Sequence, residues 1–375
     1  MRWWVALLGV LFTLPARAQT SDTNYRVGVV SESGDIVTWL KPTATGLALD
    51  RVVPVGVMPS DIDGPHNITV SPDGKSYYVT IAHGTPYGSL WRLNATGDSL
   101  LGRVQVELFP TTISLTPDGQ FAYVANSDFH GDHPRMNVIS VVHAPTMNKV
   151  TDIPACDMPH GVKVNHAGTK VYVSCMHSDE ILQLEVATLG ISRRARTGGG
   201  HAATAAAQGP SHHRPAPPTL GGASKECSPT FVSVSPDDKW LYVACNYGNS
   251  LQVWDAAGFN PIKEIPVGKG AYNVEPSPDR KLIIVTNKKD QSISLIDATR
   301  LIEIARIPTS KKIVHGIAYS PDGRRAYISS ESIGADPGAI DVIDLVARRS
   351  VATISIPGQP TGITVLPLTS TVAKP

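Results

Sequence analysis

The chain has 375 residues, 42% of them hydrophobic and 17% charged, which supplies a large core and excludes a disordered chain. Its 33 Lys and Arg nearly balance 32 Asp and Glu, so no global field draws it to nucleic acid or an anionic membrane. Recognition of any partner must be local.

The first segment, MRWWVALLGVLFTLPARA, has one basic residue at Arg2, an apolar run from Trp3 to Leu14, and small residues at Ala16 and Ala18. That is the three-part layout of a secretory leader cleaved after Ala18, and the apolar run is too short to span a bilayer. A mature chain exported to the periplasm or beyond is therefore expected, with no membrane span. Four cysteines, Cys156, Cys175, Cys227 and Cys245, would then meet an oxidising compartment where disulfides persist.

From Tyr25 onward a unit recurs: "ITVSPDGKSYYVTIAHG" at 68, "ISLTPDGQFAYVANSD" at 113, "VKVNHAGTKVYVSCMHS" at 162, "VSVSPDDKWLYVACNYG" at 232, "VEPSPDRKLIIVTNKKD" at 274 and "IAYSPDGRRAYISSES" at 317. The turns at Ser71, Thr116, Asn165, Ser235, Ser277 and Ser320 are spaced 45, 49, 70, 42 and 43 residues apart. Each unit reads as two apolar-alternating strands around a Pro-Asp-Gly turn, followed by a third strand and a weaker fourth. Four antiparallel strands per 40 to 50 residues is the period of a propeller blade.

Six blades are expected to begin near Pro65, Pro110, Pro159, Pro229, Ala271 and Val314. The remaining pieces make a seventh: "PTGITVLP" at 360 to 367 gives its inner strand, and "YRVGVVSE", "DIVTWLKP" and "LDRVVPVG" give the other three. Pairing both chain ends in one sheet closes the ring without a long free edge. The expectation is an all-β, seven-bladed β-propeller as a single domain over 19–375, with a disordered insertion at 198–224.

On "SPDGKSYYV", "TPDGQFAYVAN", "SPDDKWLYVAC" and "SPDGRRAYISS" the chain resembles the YVTN-repeat seven-bladed propellers of exported bacterial proteins, which are close in pattern to lactonase-like and surface-layer propellers. The resemblance covers nearly all of residues 25–367. It implies a fold far more than a function, because this architecture serves binding proteins, surface-layer components and several oxidoreductases. The third unit departs from the pattern with Asn165-His166-Ala167-Gly168, which touches a turn and leaves the blade. No Cys-x-x-Cys-His, Gly-rich phosphate loop or Gly-x-Ser-x-Gly elbow is present.

In a propeller the starts of inner strands and the loops after second strands share one face, here the top. Ten of the twelve histidines map there, and only His143 and His166 map to the bottom. The second residue of each inner strand forms a ring around the channel: His66, Thr111, His160, Thr230, Tyr272, His315 and Thr361. Its three imidazoles suit copper or another divalent metal, yet they come from blades one, three and six. The plainer expectation is that each Pro-His-Gly histidine bonds to the next blade. A second metal candidate is the loop at 126–137 with Asp128, His130, Asp132 and His133.

Cys156 and Cys175, and likewise Cys227 and Cys245, occupy matching places in successive units, 19 and 18 residues apart. Those pairings are the favoured disulfides. The competing reading makes the thiols soft copper ligands with Met176 and His177 at the rim. The insertion, rich in Gly, Ala, Pro and Ser and carrying His201, His212 and His213, reads as a flap or docking arm over the top.

Three functions fit this map. One is an exported propeller that binds or scaffolds a protein partner or small ligand through the top face and the 198–224 flap. Another is a copper-dependent periplasmic oxidoreductase using the top histidines. The weakest is lactonase-like hydrolysis with Glu331 and Asp336 as candidate acid and base.

Overall fold

The structure is a computed structural model that describes residues 24–57, 62–83, 87–127, 137–198, 226–332 and 336–368. The expected leader, the loop holding Asp128, His130, Asp132 and His133, and all but Gly198 of the insertion lie outside the described residues.

Within them, 28 strands form seven four-stranded antiparallel sheets, so the expected seven blades are borne out. The inner strands are Pro65–Val70, Pro110–Leu115, Pro159–Val164, Pro229–Val234, Ala271–Pro276, Val314–Tyr319 and Pro360–Pro367. Six of them start at the residues read from the repeat. The last pairs with Tyr25–Ser31, from Tyr25 opposite Pro367 to Ser31 opposite Pro360, and Ile36–Thr43 and Gly46–Pro54 complete that sheet. Each inner strand lies beside the next around the ring, including Pro360–Pro367 against Pro65–Val70. Both chain ends thus share one sheet, and the ring has no open inner edge.

The repeated residues explain the repeat. In the first turn Gly74, at φ 68, donates its N–H to the Ser71 carbonyl at 2.9 Å, and Ser71 Oγ donates to Asp73 Oδ1 at 2.6 Å. Asp73 also accepts the Lys75 N–H at 3.0 Å, so one carboxylate holds the bend. Blade three reaches the same shape with another residue: Asn165 Oδ1 accepts the N–H groups of Thr169 and Lys170, both at 2.8 Å. The second-strand tyrosines Tyr78, Tyr123, Tyr172, Tyr242 and Tyr327 are all buried between sheets, where each large ring joins one blade to its neighbour.

Two disulfides form, Cys156–Cys175 and Cys227–Cys245, in the favoured pairing. Each joins the loop before an inner strand to the end of the second strand, beside the register pairs Pro159–Cys175 and Pro229–Cys245. Blades three and four, which flank the insertion, are therefore stapled at the top. Among the described residues no helix is long and apolar enough to cross a membrane.

Candidate functional site at the channel mouth

One local device aims the ring residues. In all seven blades the pairing register between inner and second strands shifts at the ring position, between Pro65 and Asn67, Pro110 and Thr112, Pro159 and Val162, and so on to the break opposite Ser31. A bulge releases one residue from the ladder and re-aims its side chain. In six blades the residue just before the strand is left-handed: Gly64, Phe109, Met158, Ser228, Gly270 and Ile313. For the β-branched Ile313, at φ 59, that conformation is strained, and strain of this kind gathers at functional sites. The glycine of His-Gly has a separate task. A Cβ on Gly161 would lie 2.8 Å from the Phe231 Cα and 2.9 Å from the Thr230 carbonyl oxygen, so only glycine lets blades three and four approach.

The ring residues link blade to blade. Thr361 Oγ1 donates to the His66 carbonyl at 2.9 Å, Thr111 Oγ1 to that of His160 at 3.0 Å, and Thr230 Oγ1 to that of Tyr272 at 2.6 Å. His160 Nδ1 meets the Thr230 carbonyl oxygen at 3.0 Å.

His160 and His315, drawn from blades three and six, meet at Tyr272, and His66 from blade one joins them through His315. The Tyr272 hydroxyl lies 3.1 Å from His160 Nε2 and 3.2 Å from His315 Nε2. The rings of His66 and His315 stand edge to face with centres 5.4 Å apart. Phe231 packs against His160, Tyr272 and His315, and Phe109 against His66 and His83. The cluster therefore has aromatic walls and is almost closed: His66 is 7% exposed, His160 4%, His315 1% and Tyr272 7%.

A second ring, which sequence reasoning missed apart from Glu331, lies at the residue after each second strand. It supplies Glu32, Lys288 and Glu331. Glu32 Oε2 meets His66 Nδ1 at 3.0 Å and Oε1 meets His83 Nε2 at 3.1 Å. Lys288 Nζ lies 2.8 Å from Glu331 Oε1 and 4.1 Å from the centre of the Tyr272 ring, a cation–π contact. Gln359 Nε2 donates to Glu331 Oε2 at 3.0 Å.

Environment fixes the protonation of these groups. Burial, followed by His66 and Lys288, pushes His160 down to about 3. Burial and then Lys288 push His315 well below the usual imidazole range, so both rings are neutral near pH 7. Burial pushes the Tyr272 phenol up to about 12. For Glu32 burial acts upward, but the hydrogen-bonded His66 and His83 outweigh it and hold the carboxylate well below its usual range. For Lys288 burial acts downward, and Tyr272 and Glu331 outweigh it, so it stays an ammonium.

These states give the hydrogen bonds a direction. A carbonyl oxygen only accepts, so His160 carries its proton on Nδ1 and its Nε2 accepts from the Tyr272 hydroxyl. The Tyr272 oxygen then accepts from His315 Nε2–H, which leaves His315 Nδ1 as a bare lone pair. That nitrogen is buried without a hydrogen-bond partner, as is His66 Nε2.

Other expected residues fall elsewhere. His177 is exposed in the turn after Cys175, its N–H on the Asp157 carbonyl at 3.2 Å. Glu331 is buried in its pair with Lys288, whereas Asp336 is exposed. Among the described residues, the trio of His, Cys or carboxylate groups whose ligand atoms lie within 4.8 Å of one another is Cys156, Cys175 and Glu180, and the disulfide occupies both sulfurs. His66, His160 and His315 do not form such a trio as they stand.

Comparison with known proteins agrees with this architecture. A family model described as YNCE-like beta-propeller matches residues 223–370. Among solved structures the chain is similar to a Kuenenia stuttgartiensis hydrazine synthase chain, at 20% identity and a TM-score of 0.63 over 84% of this chain and 94% of that one. It is also similar to the Pseudomonas aeruginosa periplasmic gluconolactonase PpgL, at 17% identity and 0.70 over 91% and 99%. A third, dihydro-heme d1 dehydrogenase NirN in complex with DHE, aligns at 16% identity and 0.56 over 95% and 78%. No curated protein matches the chain. The resemblance to lactonase-like YVTN-type propellers is thereby borne out, and at these identities the likenesses speak for the fold.

Proposed function

We propose that this chain is an exported binding propeller whose ligand site is the top mouth of its channel. The observation that carries this reading is the cluster of His66, His160, Tyr272 and His315, buried yet holding two ring nitrogens without partners. Most buried polar groups are satisfied, so two unpartnered nitrogens on neighbouring rings, together with the aromatic walls, suit a ligand. The register break at the ring position in all seven blades frees His66, His160, Tyr272 and His315 from the ladder to form this cluster. The two disulfides suit the oxidising compartment that the leader implies.

A lactonase reading draws less support. Lys288 is held as an ammonium and Glu331 is paired with it, so neither stands ready as a base. The similarity to a periplasmic gluconolactonase nevertheless makes D-gluconolactone and gluconate sensible first probes.

Native mass spectrometry of the chain purified from a bacterial periplasm, together with ligand-observed NMR using both probes, tests the proposal. A bound metal or small molecule, or a probe contact, should be present and should fall at least tenfold in Tyr272→Phe and in the double variant His66→Gln, His315→Gln. Wild-type protein that carries and contacts nothing, or contacts that both variants leave unchanged, would contradict it.

A further inference from the structure

We infer that the ligand of the channel mouth is a transition-metal ion that imidazole binds, cuprous copper or zinc, held between His66 Nε2 and His315 Nδ1. This rests on reading the mouth as a ligand site, and it names the ligand's chemistry.

Three observations converge. Both nitrogens are buried and have no hydrogen-bond partner. The opposite nitrogen of each ring is anchored: His66 Nδ1 by the Glu32 carboxylate at 3.0 Å and His315 Nε2 by the Tyr272 hydroxyl at 3.2 Å. Ligating histidines are usually held in this way, with the second ring nitrogen donating to a carboxylate or another oxygen so that the tautomer and ring orientation are set. The spacing also fits. With metal–nitrogen bonds of about 2 Å, two imidazoles on one ion have centres roughly 5 to 6 Å apart. The observed separation is 5.4 Å.

The charges permit a cation. The Lys288 ammonium is compensated by Glu331 at 2.8 Å, and Glu32 adds a second carboxylate behind His66. Nitrogen ligands select copper, zinc, iron or nickel over calcium or magnesium, which take oxygen. At a ring separation of 5.4 Å the nitrogen–metal–nitrogen angle would be bent, short of the linear arrangement of two-coordinate cuprous copper, so either ion would take at least one further ligand from solution or a bound molecule. His160 is no third ligand here, because its Nε2 accepts from Tyr272.

The test uses the mature full-length chain, stripped with a chelator and titrated anaerobically with Cu⁺ under a colorimetric competitor, and separately with Zn²⁺. Stoichiometry is read by elemental analysis and folding by circular dichroism. One ion per chain should bind, at least 100-fold more weakly in His315→Gln and in His66→Gln. Loss of the anchor in Glu32→Gln should weaken binding roughly 10- to 100-fold. Removing His130, His133 and residues 199–224 should leave that affinity unchanged. A double variant His66→Gln, His315→Gln that folds and binds as wild type, or binding that disappears with the loop histidines, overturns the inference. If neither metal binds while gluconolactone or gluconate does so through Tyr272, the metal inference falls and the proposed function stands; if nothing binds, both fall.

Discussion

His160 makes the folded chain sensitive to acid in a way that can be worked out in advance. Its imidazole is 4% exposed, and burial lowers it from 6.5 to about 3. Above pH 6.5 the ring is neutral whether the chain is folded or not, so its contribution to stability is fully present. As the pH falls from 6.5 toward 3, the unfolded chain binds a proton that the folded chain excludes, and stability is lost. One pKa unit corresponds to about 1.4 kcal/mol, which gives a loss of roughly 3 kcal/mol by pH 4.5 and about 4 kcal/mol by pH 3, where the folded ring is itself half protonated. His315 shifts in the same direction and adds a share of its own. The assay is equilibrium urea unfolding of metal-free protein, disulfides intact, at pH 7.5 and 4.5, for wild type and His160→Gln. Carboxylate contributions are common to both, so the variant should lose about 2 to 3 kcal/mol less than wild type over this interval. Parallel pH dependences would show that the ring is not held neutral in the mouth, and the hydrogen-bond directions deduced around Tyr272 would fail with it.

Other outcomes follow from the same geometry. Replacing both cysteines of either disulfide with serine opens a loop of 19 or 18 residues and should cost about 3 kcal/mol in the chain-entropy account, measured by urea unfolding of the variant against the oxidised parent. Gly161→Ala presses a methyl group on the backbone of blade four and should destabilise by about 1 to 3 kcal/mol, while Gly97→Ala, with no atom within 4 Å, should be nearly neutral; the same unfolding assay compares them.

The ring of blades was legible because its signals are local and repeated. A Ser-Pro-Asp-Gly turn and a Tyr-Val strand recur at a nearly fixed period, and six inner strands begin at the residues the period indicated. The ring position was legible for the same reason: His66, His160, Tyr272 and His315 share a place in the repeat. Their meeting was not legible. It depends on the bulges that turn these residues into the channel and on the length of the Tyr272 side chain, which bridges from blade five to His160 and His315. Glu32 and Lys288 were missed because their blades lack a marked motif there, although the residue after each second strand is also a repeat position. Aligning that position blade by blade would have exposed the second ring. The covalent pairing was readable from matching places in two units, whereas the orphan nitrogens of His66 and His315 emerge only once every donor has been placed.

The central claim is that Tyr272 joins two neutral imidazoles of opposite tautomer at the channel mouth. Side-chain ¹⁵N NMR of metal-free, histidine-labelled protein, with signals assigned through His160→Gln and His315→Gln, tests it directly. His160 should be protonated on Nδ1 alone and His315 on Nε2 alone, both unchanged from pH 8 to pH 5.5. An imidazolium at either residue within that range, or the same tautomer at both, would contradict the account.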